Sequence, residues 1–130
     1  MVQTLARQLA IYRHNSKQMS RQVTKKDFKK EVMDNMNLSL VHFKTEWNGA
    51  CQIISAIYDD LERSYHGIAH FFSIDIEKEE GINEEFGIME LPTILFFRGG
   101  KVIDFAIGLT PKNVLITKIE NALRSHNNSN

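Results

Sequence analysis

Apolar residues recur along the chain with two spacings, one typical of helices and one typical of buried strands. Helical spacing predicts three helices. The first has Phe28, Val32 and Met36 facing inward, and the last has Leu115, Ile119, Ala122 and Leu123. The apolar face of the second consists of Ile54, Ile57, Leu61 and Tyr65, and is widened by Ile53 and Tyr58. Continuous apolar runs predict strands at 38–43, 68–74, 93–98 and 101–107, the last two joined by a Gly-Gly hairpin turn. A short helix is expected within the acidic segment 77–87.

The order of these elements is α-β-α-β-α-β-β-α. Each of the two βα units brings its strands together in parallel, whereas the closing hairpin is antiparallel. The order therefore predicts an α/β domain with a central mixed sheet of four to five strands and helices on both faces.

The two ends of the chain differ from its middle. Residues 4–14 have the spacing of a short amphipathic helix, and 15–21 are polar and basic, so we expect residues 1–21 to form a basic extension. The folded domain is expected at 22–124, followed by a disordered polar tail at 125–130.

Charge is unevenly distributed along the chain. Residues 1–30 contain eight Lys or Arg and one Asp, and because the whole chain is neutral, they carry +7 and the other hundred carry −7. This split indicates either two solvated faces or a basic segment that docks on an acidic body, its own or a partner's. Zero net charge gives no reason to expect nucleic acid or a membrane surface as partner, and no apolar run is long enough to span a bilayer.

A secretory signal is not evident, so we expect a cytoplasmic protein, monomeric or weakly dimeric. The acid-free, Arg-containing residues 1–22 are also compatible with an organelle-targeting segment, and this alternative stays open. The chain has one cysteine, which rules out a disulfide within the chain.

The stretch from Leu40 to Cys51 carries the most distinctive chemistry. An apolar strand reaches Trp47, a turn with Gly49 follows, and the cysteine falls in the first turn of the next helix. The helix dipole and unpaired backbone N–H groups at such a position favour a thiolate.

Three motifs resemble those of the thioredoxin family. Residues 47–51, Trp-Asn-Gly-Ala-Cys, resemble the family's active site, Trp-Cys-Gly-Pro-Cys. Leu91-Pro92-Thr93, which precede an apolar strand, resemble the family's cis-proline motif. The hairpin, Gly108 and the final helix complete the resemblance, which extends over residues 22–124. The resemblance implies a thioredoxin fold.

The resemblance also implies altered chemistry. Asn48 replaces the attacking cysteine and Ala50 the proline, so a mixed disulfide on Cys51 would have no internal resolving thiol, and we expect no disulfide-reductase turnover. Asn48 is expected to cap the helix instead. Cys51 matches the recessed resolving cysteine, and His42 matches a buried acid that relays protons to it. Cys51 is therefore either a buried apolar side chain or a reactive monothiol, and His42 either a neutral core histidine or its proton acceptor.

The family's peptide-binding groove is retained in this sequence. A partner strand would pair with the backbone before Pro92, a form of strand addition. The residues matching the groove are Trp47, Asn48, Gly49, Ala50, Leu91, Pro92, Thr93, Ile107, Gly108 and Leu109.

Three functions are compatible with these features. The first is binding of a protein or peptide segment at the groove without redox turnover. The alternative is monothiol exchange at Cys51 with glutathione or a partner thiol. A fold used only for assembly through the basic extension is a third. His66 and His70 belong to different predicted elements, so we expect no metal site, and we expect no cofactor.

Overall fold

A computed structural model describes residues 20–128, with side chains described up to residue 125. The strands are β1 Arg21–Gln22, β2 Ser39–Lys44, β3 His70–Asp75, β4 Thr93–Arg98 and β5 Lys101–Ile107. The helices are α1 Lys25–Phe28, extended by a π-helical segment Lys29–Met33, then α2 Gly49–Ser64, α3 Ile82–Glu85 and α4 Lys112–Asn128. The helix expected at 4–14 lies outside the described residues.

The five strands form one sheet in the order β1-β3-β2-β4-β5. β3 runs parallel to both β1 and β2, whereas β4 runs antiparallel to β2 and β5. This is the predicted mixed sheet with an antiparallel closing hairpin, and the predicted fold class is confirmed.

Side chains alternate across β2 because neighbouring strand residues point to opposite faces. Leu40 packs with α2 and α4 on one face, through a cluster that includes Ile54 and Leu115. Val41 packs on the other face with Phe28 and Ile82, beneath the first helical segment and α3. Helices therefore cover both faces, and the two cores lie on either side of the sheet.

Some local predictions were wrong. Met36 is 70% exposed because the first helical segment ends at Met33, so the helical spacing does not continue to position 36. Ile53 is 54% exposed on the outer side of α2. The segment Arg21–Gln22, assigned to or next to the extension, forms a strand.

The final helix is longer than we expected. It continues to Asn128, so the disorder predicted from residue 125 does not describe residues 125–128. Its inward residues Leu115, Ile119 and Ala122 are buried as predicted.

Candidate functional site

Three loops converge at one end of the sheet. Phe43 at the end of β2 pairs with Thr93 at the start of β4, and Thr93 in turn pairs with Ile107 at the end of β5. The turn after β2, the loop before β4 and the loop after β5 must therefore meet there. A hydrogen bond of 2.7 Å from the Gly108 N–H to the Pro92 carbonyl ties the last two together.

Asn48 begins α2 as a helix cap. Its side-chain oxygen accepts the backbone N–H of Cys51 at 2.9 Å, and its own backbone is extended. One of the four unpaired N–H groups of the helix start is thereby satisfied by a side chain. The predicted capping role of Asn48 is confirmed.

Cys51 is a buried thiol, only 1% exposed. Burial raises the pKa of the Cys51 thiol, while a hydrogen bond from the Thr45 backbone and the positive charge of Lys44 act in the opposite direction without cancelling it. The helix start alone does not produce a thiolate here, because desolvation disfavours the charged form.

His42 is also buried, at 1% exposure, with its ring centroid 5.4 Å from that of Tyr58. Burial lowers its pKa from 6.5 to about 3, with Lys44 contributing, so the imidazole is neutral at pH 7. Its Nε2 has no hydrogen-bond partner within the described part of the chain. A thiolate–imidazolium pair would require a lowered pKa for Cys51 and a raised pKa for His42. The shift found for each residue is the reverse.

The predicted groove residues differ sharply in exposure. Trp47 is 84% exposed, Leu109 58% and Ile107 51%, whereas Pro92 and Thr93 are buried. The Leu91–Pro92 peptide bond is cis. Asn48, Ala50, Leu91 and Gly108 are half-buried, and Gly49 is exposed. An exposed tryptophan does not pack in the core, so Trp47 is available to a partner.

An apolar cavity of about 450 Å³ adjoins this end of the sheet. It is bounded by β5 and by the loop after α3, where Phe105 is 54% exposed and Met89 98%. Thr93 and Ile107 line both this cavity and the predicted groove. Sequence reasoning missed the cavity, because only the pairing of β5 with β4 brings Phe105 beside the 86–90 loop.

The side chains that could bind a metal ion are dispersed over the domain. No group of three or more His, Cys, Asp or Glu side chains within residues 20–125 is placed to hold a metal ion. His66 follows α2 and His70 begins β3, so the two lie on different elements. No helix of the described chain is long and apolar enough to cross a membrane.

Known proteins resemble this chain over most of its length. The thioredoxin of Rickettsia felis is 34% identical over 105 residues, covering 81% of this chain and 100% of that protein. Those of Chlorobaculum thiosulfatiphilum and Pyropia yezoensis are 32% and 33% identical, covering 76% and 75% of this chain and 92% of each relative. A sequence model of the thioredoxin family matches residues 19–121. The chain belongs to the thioredoxin family, with a single cysteine, Cys51, where the family motif has two.

Proposed function

We propose that this protein binds an extended protein or peptide segment at the groove between Trp47, the Pro92 loop and Leu109, without disulfide-reductase turnover. The observation that carries the proposal is the contrast between the two sides of the active-site turn. Trp47 is 84% exposed, while Cys51, three residues into the next helix, is 1% exposed. The side chain proposed to contact the peptide is exposed to solvent, whereas the thiol is buried.

The backbone beside the groove supports strand addition. Leu91 precedes β4 and is half-buried, and neither its N–H nor its C=O takes part in a hydrogen bond among residues 20–128. A peptide strand that pairs with these groups satisfies them, and side chains on alternate positions contact the exposed apolar residues. The adjoining cavity accommodates a further apolar side chain of the peptide.

Turnover is disfavoured on two independent grounds. Position 48 is an asparagine engaged as a helix cap, so it supplies no attacking thiolate. Cys51 is buried, and its burial raises the thiol pKa, so the nucleophilic form is scarce at neutral pH.

The experiment that tests the proposal selects peptides from a random library on the native protein and measures their affinity by calorimetry. Trp47→Ala is expected to weaken the selected peptides about 30-fold or more, since a tryptophan at the centre of an interface typically contributes at least about 2 kcal/mol. The variant is expected to fold normally because the side chain is exposed.

Two control variants establish whether binding depends on the groove. Met36→Ala removes another apolar side chain, 70% exposed, which lies beside Gly99 at the opposite end of β4 from Thr93, and it should leave affinity unchanged. Cys51→Ala should retain binding, since the thiol is not part of the recognition surface. Peptides that bind Trp47→Ala as tightly as the native protein would refute the proposal.

A second function, monothiol exchange, is favoured by one observation. The Thr45 backbone hydrogen bond and the charge of Lys44 both stabilise the thiolate form of Cys51. This function requires Cys51 to react with oxidised glutathione in the native protein. Mass spectrometry of the native and the unfolded protein after such treatment decides: a glutathione adduct formed only after unfolding rules the monothiol function out.

A further inference from the structure

The apolar cavity beside the groove continues along strand β5. Val102, Phe105 and Ile107 of β5 line it, and the buried Leu95 of β4 lines it too. From Ile107 to Val102 the strand extends about 17 Å, at about 3.3 Å per residue. The lining therefore forms an apolar surface that is long enough to contact several residues of an extended peptide.

Large apolar side chains are exposed around this cavity. Phe105 is 54% exposed and Val102 47%, and Met89 on the facing loop is 98% exposed. Single exposed apolar side chains are common on protein surfaces, whereas a contiguous group of them marks an interaction site. Thr93 and Ile107 line the cavity and also belong to the groove, so a peptide bound in the groove lies next to the cavity.

Acidic side chains lie at the end of the cavity formed by the loop after α3. Glu90 lines the cavity, and Glu84 and Glu85 come just before Phe86, which lines it as well. All three glutamates are exposed, and none of them forms an ion pair with a side chain of residues 20–125. Their negative charge is therefore available to a cation of a partner.

The cations near the cavity do not cancel this charge. The Nζ of Lys118 lies 5.9 Å from the centroid of the Phe105 ring, and it is paired with Asp104 at 3.2 Å. Lys101 begins β5 at the hairpin, beyond Val102, and so lies at the opposite end of the cavity from Ile107 and the groove. The end of the cavity that meets the groove is therefore the acidic one.

We propose that the peptide bound at the groove carries a large apolar side chain next to a Lys or Arg. The apolar side chain lies in the cavity against Phe105, and the cation lies beside Glu90. This inference rests on the peptide binding proposed above and names the class of peptide that binds. Burial of the apolar side chain contributes most of the added affinity, because an exposed ion pair contributes little. The ion pair acts chiefly on the choice of peptide and on the rate of association.

The test uses peptides selected from a random library on the full native chain. Each position of a selected peptide is changed in turn to Ala, and the affinity for the native protein and for Phe105→Ala is measured by calorimetry. At one large apolar position, the change to Ala should weaken binding to the native protein about tenfold and should have little effect on binding to Phe105→Ala. The variant is expected to fold because the ring is half exposed.

Ile103→Ala is the matched control for Phe105→Ala. Ile103 belongs to the same strand and is 42% exposed, but it does not line the cavity. The peptide should bind Ile103→Ala as tightly as the native protein. Equal losses of affinity in the two variants would overturn the inference, because they would show a general effect of altering β5.

A second comparison tests the ion pair. The Lys or Arg next to the apolar position is changed to Gln, and both peptides are measured on the native protein and on Glu90→Gln. The native protein should prefer the cationic peptide about threefold at low salt, and Glu90→Gln should not. This preference should decrease as salt is added. An equal preference in both proteins would overturn the assignment of Glu90.

Failure of this inference can be told apart from failure of the proposed function. Peptides that depend on Trp47 but bind Phe105→Ala and the native protein equally well would overturn the inference and leave peptide binding at the groove standing. Selected peptides that do not depend on Trp47 would overturn both.

Amide NMR spectra of the peptide-free protein test for other occupants of the cavity. The signals of residues 102–107 should not change on dilution, nor in the variant Leu5→Gln with Leu9→Gln. A change on dilution would overturn the inference in favour of a second copy of the chain. A change in the variant would overturn it in favour of the chain's own first residues.

Discussion

Burial of a neutral histidine makes the stability of this protein depend on pH. The pKa of His42 is lowered from 6.5 to about 3, chiefly by burial and in part by the charge of Lys44. Between these two values the unfolded chain binds a proton at this position and the folded chain does not. The contribution of His42 to the free energy of unfolding must therefore fall as the pH falls from about 6.5 towards 3.

The size of the effect follows from the shift. At about 1.36 kcal/mol per unit, a difference of about 3.5 units removes about 5 kcal/mol once the pH is below both values. Between pH 7 and pH 4.5 the same relation gives a loss of about 2.5 kcal/mol. This is a substantial part of the 5–15 kcal/mol, roughly, by which a typical domain is stable.

The assay is urea unfolding at pH 7 and pH 4.5 of the native protein and of His42→Leu. Circular dichroism is the appropriate signal, because Trp47 is 84% exposed in the folded state and its fluorescence will change little on unfolding. The free energy of unfolding of the native protein, minus that of the variant, should fall by about 2.5 kcal/mol between the two pH values.

The native protein must be compared with the variant at each pH, because Glu62 changes the free energy of unfolding with pH in the opposite direction to His42. Burial raises its pKa from 4.5 to about 8, so its contribution to stability is present at low pH and is lost as the pH rises through this range. Asp59 and Lys44 line the same cavity as His42 and are common to both proteins. Parallel curves for the two proteins would refute the reasoning, because they would mean that His42 binds its proton equally well in both states.

Three further predictions concern local structure and chemistry. Asn48→Ala should lower the free energy of unfolding by about 1 kcal/mol, and Asn48→Gly by only a few tenths, in denaturant melts, because only alanine is a poor cap residue. Gly100→Ala should cost about 1–2 kcal/mol, since its φ is +79° and a Cβ would lie 3.2 Å from the Met33 carbonyl oxygen, whereas Gly49→Ala, with open space around it, should not. Asn48→Cys should show more insulin-reductase activity than the native protein, for which we expect none, because the substitution restores the second thiol beside Cys51; a variant that forms the disulfide but remains inactive would contradict this.

Elements of the fold that are determined by neighbouring residues in the sequence could be predicted, whereas those determined by contacts with distant residues could not. The hairpin was predicted with its correct bounds, because an apolar run and a Gly-Gly turn occur together within 93–107. Strand β1 was missed because two residues, Arg21–Gln22, show no periodicity and are held only by pairing with β3. Met36 was misplaced because the helix widens into a π-helical segment that ends at Met33, which the spacing of apolar residues does not reveal.

The same distinction between local and long-range causes applies to the residues of the candidate site. The capping role of Asn48 follows from its type and its position before a helix, so it could be predicted from the sequence. The choice between a reactive and a buried Cys51 stayed open, because burial is a property of the packed structure. The same is true of His42, whose pKa depends on the surroundings that β2, β3 and α2 assemble around it.

Asn48 explains how the fold persists without the dithiol. The start of α2 needs an acceptor for its unpaired N–H groups, and the Asn48 oxygen provides one at 2.9 Å. Replacing a cysteine with this residue therefore removes a nucleophile while stabilising the helix that positions the groove. The exposure of Trp47 does not depend on the thiol, and neither does the backbone of Leu91, which makes no hydrogen bond within residues 20–128. The peptide binding that we propose at the groove therefore does not require a dithiol at this turn.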